Sequence, residues 1–383
     1  MNQNLQKLAF ATVLMASMSQ ISHAQIPDLV TAMDAGGRSM GMGGALDASS
    51  TNTLAGLNNP AGLAYISQPQ VNLNLRNLRE SRTTISNNFQ DPDFSTTGSS
   101  GNKALSHFGY AMPMGKRGTL AFTYTLGGFI KDVRTGNNLA DGEISVRNYV
   151  EILRSKTDYF TISLGKSNEA MTRSIGYGLV FATQNIRNQQ SYRQFRADNT
   201  EIGNGVLVDN SGQSFGIGLV VGTMFSPGNN PDQVIGASVR TPISLKGGSD
   251  TRDYLTRLPG KASVSFAQRM SAGGRANDFL LFGLQGDLYY GGEADKIISR
   301  KSTQFVFGTG LEYNYRLGQA YVPIRFGFKS IGKGGSGYSP TSGVTFGIGY
   351  QPIGGSYGFN LDFGTSSFGA SDSSLEFTYR IKK

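Results

Sequence analysis

Residues 215–225 read FGIGLVVGTMF. Phe215, Ile217, Leu219 and Val221 fall on alternate positions, while Gly216, Gly218 and Gly222 occupy positions of the opposite parity. A strand turns successive side chains to opposite faces, so this stretch has one large apolar face and one small one. The arrangement recurs at Ile175, Tyr177, Leu179 and Phe181, at Val344, Phe346, Ile348 and Tyr350, and at Leu375, Phe377, Tyr379 and Ile381. In the last of these the other face carries Ser374, Glu376, Thr378 and Arg380. Such alternation suits a soluble sandwich, with its apolar face turned to a core, or a membrane barrel, with that face turned to lipid.

Connection lengths separate the two. The pattern places strands at 70–78, 105–113, 118–130, 157–165, 172–187, 212–225, 232–245, 260–270, 278–290, 303–315, 321–331, 341–350, 356–364 and 373–381. Their even total, about 14, lies in the range of bacterial outer-membrane barrels. Long connections at 79–104, 131–156, 188–211, 246–259 and 291–302 alternate with short ones at 114–117, 166–171, 226–231, 271–277, 316–320 and 351–355. Short periplasmic turns and long outer loops give that parity in a barrel, and a sandwich has no reason to keep it. The expected fold is therefore all-β, a 14-stranded antiparallel transmembrane β-barrel over residues 70–383. Tyr65, Tyr110, Tyr124, Tyr177, Tyr289, Tyr290, Tyr313, Tyr315, Tyr350 and Tyr379 lie near strand ends, as girdle aromatics do. The inward parity carries Asn72, Asn74, Arg76, Arg240, Asp287, Glu312, Arg316, Arg325, Lys329, Asp362, Glu376 and Arg380, charges that need partners or water.

The N-terminus supports an outer-membrane address. Lys7 precedes the mostly apolar run Leu8 to Met18, and Ser22-His23-Ala24 places small residues where signal peptidase cuts, so residues 1–24 read as a signal peptide. The chain has no cysteine, which excludes disulfides, thiol catalysis and cysteine metal sites. After the leader no apolar run approaches the roughly 20 residues of a membrane-spanning helix. The formal charge of +9 points, in an exported chain, to outer-membrane lipid and lipopolysaccharide phosphates rather than nucleic acid, or to solvated loop charge such as Arg76, Arg79 and Arg82.

Between leader and barrel lies a glycine-rich preface, residues 25–69, containing GGRSMGMGGALDASS (36–50) and NNPAGLAYI (58–66). Asn59 before Pro60 is a helix-start signal, since Asn caps free N–H groups and Pro at the first helical position loses no hydrogen bond. Gly36, Gly37, Gly41, Gly43 and Gly44 permit close backbone approach and positive φ. The segment is too small to fold alone.

These stretches, with ASVRTPISLKG (237–247), LPGKASVSFAQRM (258–270), FGLQGDLYY (282–290) and TGLEYNYRLGQAYVPIRFGF (309–328), resemble the FadL/TodX family of outer-membrane transporters of hydrophobic compounds. The resemblance implies an N-terminal hatch, residues 25–69, lying inside the barrel. It also implies passage of hydrophobic small molecules, long-chain fatty acids or hydrocarbons, without covalent chemistry. The hatch residues Arg38, Asn59, Pro60, Ala61 and Gly62 are the expected ligand and gating residues. Gly127 and Gly128 are the expected place for a kink or gap in the wall, because a glycine pair weakens a ladder; an ordinary strand end is the alternative. The outer loops are modest, so the family's lipid-capturing protrusion is expected to be reduced. RSMGMGGA (38–45) also resembles the PorV branch of the superfamily, which implies the alternative of a type IX secretion component carrying secreted proteins.

No enzyme, cofactor or metal is expected. Ser106 and His107 are strand neighbours facing opposite ways, so they cannot form a nucleophile–base pair. Asp287, Glu312, Asp362 and Glu376 lack the clustered spacing of a calcium loop, and pairing with lumen Arg and Lys or with Arg38 is expected instead.

Overall fold

A computed structural model describes residues 36–87, 92–137, 139–141, 144–247, 255–272, 277–294, 301–332, 341–353, 358–366 and 372–381. The expected signal peptide, residues 25–35 of the expected hatch and several outer loop tips lie outside the described residues. Fourteen wall strands follow the inner segment. They are β1 (Gln70–Asn87), β2 (Pro92–Pro113), β3 (Thr119–Gly136), β4 (Ile144–Ser167), β5 (Arg173–Arg196), β6 (Val206–Phe225) and β7 (Gln233–Arg240). Then come β8 (Gly260–Ser271), β9 (Phe279–Ala294), β10 (Lys301–Leu317), β11 (Ala320–Ile331), β12 (Thr341–Pro352), β13 (Gly358–Ser366) and β14 (Asp372–Arg380). Short pieces at Leu139–Asp141, Ile243–Ser244, Lys246–Gly247 and Leu255–Leu258 extend the outer hairpins.

Each wall strand pairs antiparallel with the next, and β1 closes on β14 from Gln70↔Arg380 to Asn77↔Ser373. The outside of the closed sheet is apolar. Ile175, Tyr177, Leu179 and Phe181 on β5, Phe215, Ile217, Leu219 and Val221 on β6, and Phe346, Ile348 and Tyr350 on β12 are all exposed. Closure satisfies the backbone within the sheet and the apolar belt faces hydrocarbon, which together define a transmembrane β-barrel of outer-membrane type.

The strands run further outward than the apolar alternation indicates. β1 and β2 occupy most of the expected 79–104 loop, β3 and β4 most of 131–156, and β5 and β6 most of 188–211. Beyond the apolar belt residues of both parities are polar in sequence, so the ladder continues while the period-two hydrophobic signal fades. Out there Leu139, Val146, Tyr149 and Tyr192 form a small apolar cluster, and burial pushes the Tyr149 phenol above its ordinary value. Arg187 bonds both carboxylate oxygens of Asp209, at 3.0 and 2.7 Å, and holds that carboxyl below the usual range.

One seam of the wall is incomplete. β2 and β3 pair only from Pro113↔Thr119 up to His107↔Thr125. Beyond that rung β3 pairs in parallel with β1, Ser81–Ile85 against Asp132–Gly136. A register shift on the β3–β4 ladder sits between Leu126 and Gly128, so Gly127 is the bulged residue at the foot of this seam.

Candidate functional site

The inner segment crosses the barrel interior before β1 begins. It contains a single helical turn, α1 (Gly37–Gly41), a second short turn, α2 (Ala55–Asn58), and a 3-10 turn at Pro60–Tyr65. Main-chain atoms of this segment lie against inward-facing glycines of the wall. A Cβ added at Gly364 on β13 would sit 2.2 Å from Gly37 O, and one at Gly347 on β12 would sit 3.1 Å from Gly41 Cα. At Gly327 on β11 and Gly310 on β10 the distances are 2.4 Å to Gly43 N and 2.5 Å to Met42 O; at Gly283 on β9 it is 2.3 Å to Ala45 O. Across the lumen, Gly165 and Gly176 receive Pro60, and Gly222 receives the Asn59 side chain. The small inner face read from the sequence is thus a track that lets backbone approach backbone.

Two charged clusters tie the segment to the wall. Arg38 donates from Nε and Nη2 to Glu312 at 2.9 and 3.0 Å, and its N–H donates to Glu376 at 3.2 Å. Buried Arg325 donates to Glu312 and to Asp362, each at 2.6 Å. Asn52 also donates to Glu376, at 2.6 Å. On the other side Lys261 bridges Asp47 of the segment at 3.4 Å and Asp287 of the wall at 3.1 Å. Interior ions are retained only when paired and hydrogen-bonded in this way. Among the described residues no three His, Asp or Glu side chains gather where they could hold a metal ion.

Asn59 accepts from Ala61 N at 3.2 Å, capping the Pro60–Tyr65 turn, and donates to Thr223 O at 3.3 Å on β6. Pro60, Ala61 and Gly62 are buried in that turn. Arg38 and residues 59–62 therefore sit at two separate wall contacts of one segment and do not converge on a single pocket. Gly127 lies against the Tyr159 ring, where a Cβ would come within 2.0 Å of Cε2.

Just outward of the track the lumen changes character. Leu57 of the segment packs with Tyr159, Val180, Ala182, Val220, Ile243 and Leu258, and the cluster continues through Tyr289, Val306 and Ile331. The Arg240 guanidinium lies 4.8 Å from the centroid of the Tyr159 ring at its edge. The polar and charged inward parity read from the sequence does not foresee this zone, and Tyr289, expected in the girdle, is buried within it. The missed signal is apolar residues on both parities: LVF at 179–181, LVV at 219–221 and FVF at 305–307.

Ser106 is also buried and does not face away from His107 as regular alternation implies. It is the extra residue between Asn74↔His107 and Leu75↔Leu105, a bulge that turns both side chains from solvent. The two still do not pair: Ser106 donates to Asn74 O at 3.2 Å.

A membrane barrel crossed by its own N-terminal segment, with a tethering layer and a cluster of apolar side chains above it, is the class these features define. No family model matches the chain, and no curated protein matches it. Among solved structures it is similar to a Pseudomonas aeruginosa FadL homologue, with a TM-score of 0.58 and 12% identity over 91% of this chain and 98% of that one. The toluene transporter TodX of P. putida gives 0.57 and 12%, over 91% and 99%. The toluene transporter TbuX of Ralstonia pickettii gives 0.55 and 13%, over 91% and 98%. At these identities the likeness is one of fold: the chain has the barrel architecture of these transporters over nearly its whole length.

Proposed function

We propose that the protein is an outer-membrane channel for hydrophobic small molecules. The observation that carries this reading is the apolar cluster from Leu57 to Ile331, set inside a lumen otherwise lined by polar and charged groups, which this reading takes as the lining of the solute's chamber. A diffusive polar pore gains nothing from such a zone, whereas an apolar solute leaves water on entering it, at about 25 cal/mol per Å² buried. The similar structures include toluene transporters and the CymD monoaromatic hydrocarbon channel, which supports the same class of solute. The finer reading is a small hydrocarbon or the chain of a fatty acid, whose carboxylate would lie beside the Arg240 guanidinium at the chamber's edge.

In this mechanism the solute enters from outside and rests on the inner segment as on a hatch. It leaves when Arg38 and Asn59 release their wall partners, or sideways through the β2–β3 seam beside Gly127 and Gly128. No step is covalent. The test is binding of a neutral fluorescent naphthylamine to purified protein in detergent. Val180→Asp with Val220→Asp puts two carboxylates into the chamber and should weaken binding at least tenfold, while Leu219→Ser on the lipid face should not. Equal binding by all three proteins would remove the chamber as the solute site. Arg240→Met should discriminate further, weakening competition by a fatty acid more than competition by a neutral hydrocarbon.

A further inference from the structure

His107 is one of two histidines in the chain, and the other lies in the expected leader. Its ring is fully buried and joins three elements. Nε2 lies 2.8 Å from Thr53 Oγ1 in the inner segment, and Nδ1 lies 2.9 Å from Thr125 Oγ1 on β3. A neutral imidazole donates from one nitrogen and accepts at the other, and a hydroxyl does either, so both bonds form at once.

The location makes this bridge more than a satisfied core histidine. His107↔Thr125 is the last rung joining β2 to β3. Both strands bulge at that level, β2 at Ser106 and β3 at Gly127, and above it the two strands separate. The ring's bond to Thr125 therefore staples the foot of the open seam, while its bond to Thr53 is made by the segment that would have to move. The seat of Thr53 is shaped on the same strand: a Cβ at Gly109 would fall 2.1 Å from Thr53 Oγ1.

We infer that the Thr53–His107–Thr125 chain couples the position of the inner segment to the width of the β2–β3 seam. While the segment is seated, Thr53 fixes the ring and the ring fixes the terminal rung. When the segment shifts, Nε2 loses its partner in a dry site, and an unsatisfied buried polar atom is costly. The ring turns toward water or solute and releases Thr125. The top rungs, His107↔Thr125 and then Phe108↔Tyr124, are left held by backbone bonds alone beside a bulge, and the seam widens downward. His107 is a positioning residue here, acting through the wall and not on the solute. The inference rests on the channel reading for its purpose but not for its geometry.

The chain's lack of cysteine permits a direct test. Spin labels at Lys103→Cys on β2 and Phe129→Cys on β3 straddle the seam, and pulsed dipolar spectroscopy on the full chain in nanodiscs reads their separation. Thr53→Val, which keeps shape and loses the hydroxyl, should shift the distribution to longer distances. His107→Ala should give a similar shift, and the double variant should add nothing. Ser163→Ala removes a different tether, the 2.7 Å bond to Gly56 O, and should leave the seam unchanged. An unchanged distribution in Thr53→Val, or an equal shift in Ser163→Ala, overturns the coupling. Hydrophobic-probe uptake measured on the same proteins separates the two claims. Uptake without a seam response overturns only the coupling, and a seam response with no uptake by any protein overturns only the channel reading.

Discussion

The glycine track makes a strong mechanical demand. Gly310 and Gly327 face each other across the β10–β11 ladder, and each receives backbone of the inner segment. Alanine at Gly310 would place Cβ 2.5 Å from Met42 O and 2.8 Å from Met42 Cα; alanine at Gly327 would place it 2.4 Å from Gly43 N. Ordinary contact begins near 3.4 Å, so about an ångström of movement is required. Neither neighbour is a side chain that can rotate away. The wall strand is pinned by its ladder on both sides, so the segment must lift. Overpacking of this kind costs about 1–3 kcal/mol, which changes the ratio of seated to displaced segment by roughly 5- to 150-fold. The barrel's own pairing is untouched by one methyl group. Either variant should therefore remain heat-modifiable on SDS gels and show larger or more frequent conductance events in planar bilayers. Gly286→Ala is the control, since its nearest neighbour is the Phe305 ring at 3.6 Å. If Gly310→Ala and Gly327→Ala conduct like Gly286→Ala, the segment is not held by the track and the reasoning fails.

Other outcomes follow from the tethers and the facing. Arg38→Ala leaves Glu312 with Arg325 at 2.6 Å and Asn314 at 3.0 Å, so the loss should be that of one charged hydrogen-bonded contact, about 1.5–3 kcal/mol, seen as raised conductance with an intact barrel. Asn59→Ala with Pro60→Gly removes a cap worth about 0.5–2 kcal/mol. It should alter probe uptake without loss of heat modifiability, and unchanged uptake would reduce the motif to a turn. Leu219→Arg, on the lipid face, should cost about 2–4 kcal/mol in refolding titrations. Gly218→Arg should act by filling the chamber, because a Cβ there meets Ile243 Cγ1 at 2.6 Å; similar refolding and binding behaviour of the two would contradict the facing.

Much of this architecture is legible because lipid imposes a simple rule on alternate residues. Phe215 to Val221 declare their face without any knowledge of their neighbours, and each expected strand coincides with a wall strand. The rule stops where the lipid stops. Residues 79–87 and 188–196 continue as strand although their sequence is polar at both parities, so only their backbone bonding reveals them. Pairings such as Arg38 with Glu312, 274 residues apart, are foreseeable in kind but not in partner. The apolar cluster is hidden for a different reason: Val180, Val220 and Val306 add a second apolar face, and between lipid-facing neighbours they read as noise. Alternation marks the wall glycines only as a small face, since a side-chain pattern does not encode that another backbone will lie on them.

The most direct measurement of the central claim is uptake across an intact outer membrane. Cells lacking other hydrophobic-compound channels would express the wild type, the Val180→Asp/Val220→Asp variant or no protein, each barrel shown to be heat-modifiable and present in equal amount. Accumulation of a hydrophobic fluorescent probe should rise with the wild type and fall close to the empty-cell rate with the chamber variant, while leakage of a polar dye stays the same in all three. Equal probe accumulation with and without the protein, or a wild-type gain that survives the chamber substitutions, would contradict the account.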